Sequence, residues 1–104
     1  MSELHYVCLL CELPEGRPAA FTVADYEIVL IKTAGQVYAL EDNCSHQDFP
    51  LSHGQVLAGE RIKCKAHGAE FCLKSGKALA PPAFAPVRAY PLKVENGEVW
   101  VDIG

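Results

Sequence analysis

The feature that most constrains how this chain can fold is a pair of short loops, each carrying one thiol and one imidazole. The first reads Cys44-Ser45-His46; after seventeen intervening residues comes Cys64-Lys65-Ala66-His67. A lone Cys-x-x-His settles nothing, since such pairs arise by chance and a free cysteine is usually a buried packing group. Two pairs in two short irregular loops are improbable as coincidence. As ligands of one site, all four side chains have to converge, so both loops must be carried by one rigid scaffold.

The rest of the chain supplies a β scaffold. Short apolar runs are broken by turn signals, and no window has helical period. The predicted strands are His5–Leu10, Ala19–Val23, Glu27–Thr33, Val37–Glu41, Arg61–Cys64, Glu70–Cys72, Val87–Val94 and Glu98–Ile103. Hairpin signals fall at Ala34-Gly35, Ser75-Gly76 and Asn96-Gly97, the last being the strongest because Asn-Gly suits a type I′ turn. Many short antiparallel strands at this spacing predict an all-β sandwich or barrel. Two segments break the pattern: Asn43–Gly54, which holds the first pair, and Lys65–Gly68, followed later by the proline-rich Ala80–Pro86.

At 104 residues the chain makes one domain with a modest core, small enough to benefit from a metal or cofactor. A formal charge of −4 without a Lys/Arg cluster argues against a nucleic-acid partner. No basic leader precedes an apolar segment at the N-terminus, and no apolar run approaches membrane-spanning length. The expectation is a cytoplasmic protein without a membrane segment. In that compartment five cysteines read as metal ligands and buried thiols rather than as a disulfide framework.

Two Cys and two His can hold a tetrahedral zinc ion, which would staple a small domain. Zinc fingers and ribbons, however, usually pair like ligands within a loop. Alternation of one Cys and one His per loop suits a binuclear cluster instead, with both thiolates on one iron and both imidazoles on the other. On that reading Cys44 and Cys64 hold the inner iron, and His46 and His67 the outer one.

Several spaced motifs agree with the second reading. E-D-N-C-S-H leads into the first loop and P-L-S-x-G follows it, while C-x-x-H-G-A-E-F-C-L-x-S-G runs on from the second pair. With the proline-rich stretch, Y-P-L-K-V and the final G-E-V-W-V-D-I, the sequence resembles the small Rieske-type [2Fe–2S] ferredoxins of bacterial aromatic-ring-hydroxylating dioxygenase systems, over nearly its whole length. The resemblance implies a Rieske fold: one domain over residues 1–104, an antiparallel β base with a cluster-binding subdomain of about residues 42–86 inserted in it. It implies a [2Fe–2S] cofactor on Cys44, His46, Cys64 and His67. The protein would then be a one-electron carrier rather than an enzyme, its partners an NAD(P)H-dependent flavoprotein ferredoxin reductase and a terminal Rieske oxygenase. Two other readings stay open at this point: the small Rieske subunit of an assimilatory nitrite reductase, and a zinc-stapled interaction module.

The departures from respiratory Rieske proteins are informative. Those relatives carry an extra cysteine in each loop, joined as a disulfide; the matching positions here are Phe49 and Ala66. They also carry Ser and Tyr donors to cluster sulfur where this chain has Ala69 and Phe71, which lack hydroxyls. Fewer donors imply a potential near the low end of the Rieske range, roughly −150 mV. Of the remaining candidates, Cys8, Cys11 and Cys72 read as structural thiols, His53 as a polar loop residue and His5 as strand surface. Asp42, Asp48, Glu60 and Glu70 read as solvated carboxylates, with partner steering the alternative. Pro81, Pro82 and Pro86 are candidates for a lid.

Overall fold

Four consecutive apolar residues, Ile28-Val29-Leu30-Ile31, decide the layering of the molecule. All four are fully excluded from solvent in the computed structural model, which describes residues 3–44, 50–58, 60–65, 68–80 and 85–103. Successive strand side chains point to opposite faces, so Val29 and Ile31 face one way and Ile28 and Leu30 the other. Val29 and Ile31 join a core with Leu40, Cys44, Leu51, Ile62, Cys64 and Phe71. Ile28 and Leu30 join a second core with Val23, Val99 and Val101. A continuous apolar run is what a strand buried on both faces requires.

Three antiparallel sheets surround these cores. The first orders β1 (Leu4–Leu9), β11 (Glu98–Asp102) and β10 (Leu92–Glu95), with β11 central. The second orders β2 (Pro18–Val23), β3 (Tyr26–Thr33), β4 (Gln36–Glu41) and β9 (Ala89–Tyr90). The third is a meander of three-residue strands: β5 (Gln55–Leu57), β6 (Arg61–Lys63), β7 (Glu70–Cys72) and β8 (Ala78–Ala80). This third sheet lies in sequence between β4 and β9, which are themselves paired through Ala39 and Tyr90. The chain therefore leaves the second sheet and returns to it side by side, with the Glu41 N–H donating to the Arg88 carbonyl at 2.8 Å.

The all-β antiparallel expectation holds, with four corrections. Predicted strand Val87–Val94 is two strands in two different sheets, divided at Pro91; proline has no N–H to donate, so the ladder breaks there. The strands β5 and β8 were not predicted, because three residues are too few to show alternation. Leu10 opens a short 3-10 turn, Leu10–Glu12, rather than ending β1. A tight turn at Ala24-Asp25 joins β2 to β3 with φ of 47° and 69°, and no glycine marks it in the sequence.

Candidate metal centre

The second loop is closed by its own backbone. Strands β6 and β7 pair up to Lys63↔Glu70, and just beyond them the Cys64 N–H donates to the Ala69 carbonyl at 2.7 Å. Within this ring the Gly68 N–H donates back to the Cys64 carbonyl at 2.9 Å. Gly68 sits at φ +74°, a left-handed conformation that glycine adopts without steric cost. Cys64 is thereby fixed at the mouth of a tight hairpin with its side chain fully buried.

The first loop is closed by a side chain. As the chain leaves β4, the Asp42 N–H donates to the Glu27 carbonyl at 3.0 Å and the Asn43 N–H to the Glu41 carbonyl at 2.9 Å. The Asp42 carboxylate then reaches across the loop to Ser52. One oxygen accepts the Ser52 N–H at 2.7 Å and the other accepts the Ser52 hydroxyl at 2.9 Å. Ser52 lies in a 3-10 turn, Leu51–His53, that seats Leu51 in the core. Residues 42 and 52 are thus clasped together, and Cys44, between them, is 1% exposed.

Both thiols project into the same buried cluster, among Leu51, Ala69 and Phe71. Their chemistry suits iron: two cysteines excluded from water, on two loops each fixed at its base, with none of the five cysteines in a disulfide. The other two expected ligands, His46 and His67, lie outside the described residues, as do Asp48, Phe49 and Ala66. The structure therefore brings Cys44 and Cys64 into one cluster and bears on no other member of the set.

Comparison with known proteins places this pair of loops in a family. A family model described as "Rieske [2Fe-2S] domain" matches residues 3–91. The chain belongs to the Rieske [2Fe–2S] domain family. Its cofactor is a [2Fe–2S] cluster, which sets aside the zinc-stapled reading. This Rieske domain is 37% identical over 98 residues to the 3-phenylpropionate/cinnamic acid dioxygenase ferredoxin subunit of Escherichia coli (strain K12), covering 94% of this chain and 92% of that one. The ferredoxin of carbazole 1,9a-dioxygenase from Nocardioides aromaticivorans IC177 has a similar structure, with a TM-score of 0.91, 33% identity, and 94% and 95% of the two chains covered. A third structure, of a complex of reduced oxygenase and oxidised ferredoxin in carbazole 1,9a-dioxygenase, matches with a TM-score of 0.86 and 29% identity over 95% of this chain and 92% of that one.

Several side chains of this Rieske domain take roles the sequence did not announce. Asp42 is not a solvated carboxylate: it is 8% exposed and holds Ser52. Glu60 accepts the Tyr38 hydroxyl at 2.8 Å, tying β4 to the turn before β6, and that bond pushes the Tyr38 phenol up. Glu70 pairs with Arg61 at 2.9 Å. Cys8 packs in the second core, where burial pushes its thiol up, while Cys11 is exposed. Cys72 is half-buried, and a hydrogen bond from the Ser75 hydroxyl draws its thiol down. Ala69 and Phe71 are fully buried beside Cys64. Of the proposed lid, Pro81 and Pro82 lie outside the described residues, and Pro86 is exposed. The anchor of that segment is its neighbour Val87, whose N–H donates to the Gly76 carbonyl at 2.9 Å. A Cβ at Gly76 would collide with the Val87 carbonyl oxygen, so glycine is required for this close approach.

Proposed function

We propose that this Rieske domain is the ferredoxin component of a multicomponent aromatic-ring dioxygenase. It takes single electrons from an NAD(P)H-dependent flavoprotein reductase and passes them to a terminal Rieske oxygenase. It is an electron-transfer component and performs no chemistry on the aromatic substrate itself. The observation that carries this reading is the end-to-end likeness to two dioxygenase ferredoxins, one by sequence and one by structure. The oxygenase partner is supported by the related ferredoxin found in complex with its oxygenase. Among the described residues no helix is long and apolar enough to cross a membrane, which accords with work in the cytoplasm.

In this reading Cys44 and Cys64 hold one iron, and His46 and His67 the other. Residues 42–86 form the cluster-bearing insertion of a single domain, a division supported by the third sheet being inserted between the paired strands β4 and β9. The bound cluster supplies one-electron exchange. The chain contributes exclusion of water from both thiols and loops tied at their bases, by the Asp42–Ser52 clasp on one side and the Cys64–Ala69 hairpin on the other. Loops tied in this way would hold the cysteine ligands in place as an electron arrives and leaves.

The test is EPR and visible spectroscopy of the reduced protein, together with electron delivery to a purified oxygenase. The expected result is a rhombic signal characteristic of mixed thiolate–imidazole ligation. His46→Ala should abolish that signal and His53→Ala should leave it intact. A Rieske signal that survives His46→Ala would refute the ligand set, and a reduced protein that delivers no electron to any oxygenase would refute the carrier role.

A further inference from the structure

We propose that the pocket beside Cys64, lined by His53, Gln55, Lys63 and Lys65, receives a carboxylate side chain of the terminal oxygenase when the two proteins dock. This rests on the ferredoxin reading above. The pocket has a volume of about 380 Å³ and is completed by Gly54 and Cys64. Lys63 and Lys65 are ammonium groups, which donate and never accept, and the Gln55 amide can donate beside them. A carboxylate is the protein group that such a lining fits, through charge-assisted bonds.

The direction of Lys63 follows from competition for a carboxylate. Glu70 lies directly opposite Lys63 in the ladder, which makes it the natural partner. Glu70 is instead engaged by Arg61 at 2.9 Å. The Lys63 stem extends over the hairpin loop, its Cε 3.8 Å from where a Cβ on Gly68 would stand. Lys65, one residue past Cys64, is exposed on the same loop. Among the described residues no carboxylate lies within 4.0 Å of either lysine, whereas Lys93 is paired with Glu95 at 2.8 Å. On a chain of net charge −4, the rim of the second loop is thus locally positive.

The first loop has the opposite sign on its flank. A wider cavity of about 640 Å³ there is lined by Asp25, Glu27, Glu41 and Asp42 and by Tyr26 and Tyr90, over whose rings the Arg88 guanidinium lies, so that four carboxylates face one cation. A partner docking over both loops meets positive charge on one side and negative on the other. A partner rotated by half a turn would face like charges on both sides, which selects one orientation. A related ferredoxin is found in complex with its oxygenase, and the oxygenase is the partner to which we assign the carboxylate.

The experiment uses cluster-loaded protein and the oxygenase that accepts its electrons. Affinity is measured by calorimetry at low and high salt for wild type, the Lys63→Glu/Lys65→Glu pair and the milder Lys63→Gln/Lys65→Gln pair. Charge reversal is expected to raise Kd about tenfold, equivalent to about 1.4 kcal/mol. The neutral pair should raise it about threefold and flatten the salt dependence. Reduction by the flavoprotein and the EPR signature should be unchanged. If charge reversal impairs cluster loading, the neutral pair carries the test. Equal affinity of all three proteins for an oxygenase that binds wild type would overturn the pocket while leaving the carrier role intact. A defect in reduction by the reductase, with oxygenase affinity unchanged, would overturn the choice of partner. A wild-type protein that engages no oxygenase would overturn both readings.

Discussion

A single buried carboxylate holds the first cluster loop shut. Asp42 accepts both the backbone N–H and the hydroxyl of Ser52, and the loop it closes carries Cys44 and His46. Replacing it with alanine leaves the Ser52 donors without their acceptor in a part-buried site. We expect Asp42→Ala to cost about 2 kcal/mol, the range for a hydrogen bond to a charged group. Denaturant unfolding measures that loss, and the visible absorbance of the cluster should decay faster than in wild type. An unchanged unfolding midpoint would mean water replaces the carboxylate without loss. At this scale the thiols were legible in the sequence, because paired Cys/His loops are rare. Asp42 was not: a buried, bonded aspartate and a solvated one are the same letter, and only the fold brings residue 52 back to residue 42. Glu60 and Glu70 stay at the surface as expected, but their partners Tyr38 and Arg61 were not legible, being distant in sequence or on another strand.

Among the elements, the hairpins are written most clearly where glycine marks them. Ala34-Gly35 and Asn96-Gly97 connect strands paired Thr33↔Gln36 and Glu95↔Glu98, as two-residue turns should. Ala24-Asp25 makes the same kind of connection with two residues that both sit at positive φ at a steric cost. We expect the double substitution Ala24→Asn/Asp25→Gly to stabilise the protein by about 1 kcal/mol, as a type I′ turn prefers Asn-Gly. For a domain of this size that corresponds to a rise in Tm of about 4–8 °C by calorimetry. No rise would mean the turn is relieved by neighbouring residues instead. The alternating strands β10 and β11 were readable because one face of their sheet is buried. The sheet switch at Pro91 was not, because Tyr90 and Leu92 look like one alternating run until their partners are known. The strands β5 and β8 carry too few residues for periodicity to register.

The molecule as a whole is organised around two cores of unequal independence. Among the described residues, the one containing Cys8, Val23, Ile28, Leu30, Val99 and Val101 takes no member from residues 42–86. The other takes Cys44, Leu51, Ile62, Cys64, Ala69, Phe71 and Leu73 from that segment, and it is the core that iron would bind. Metal binding stabilises only the state that holds it. Removing iron should therefore open β5–β8 locally while β2, β3 and β11 stay protected, as measured by amide hydrogen exchange. Uniform loss of protection would instead show one cooperative unit. Sequence disclosed the β class and the convergence of Cys44 and Cys64, but not this division, which depends on which face of each strand meets which neighbour. The divider itself is Ile28–Ile31, a party wall between two rooms. A change of volume on one side of such a wall cannot be absorbed by bending the strand without pressing on the other side. Adaptive change in this protein is consequently free to accumulate in the loops, while the wall that separates the core holding Cys44 and Cys64 from the structural base has no direction in which to yield.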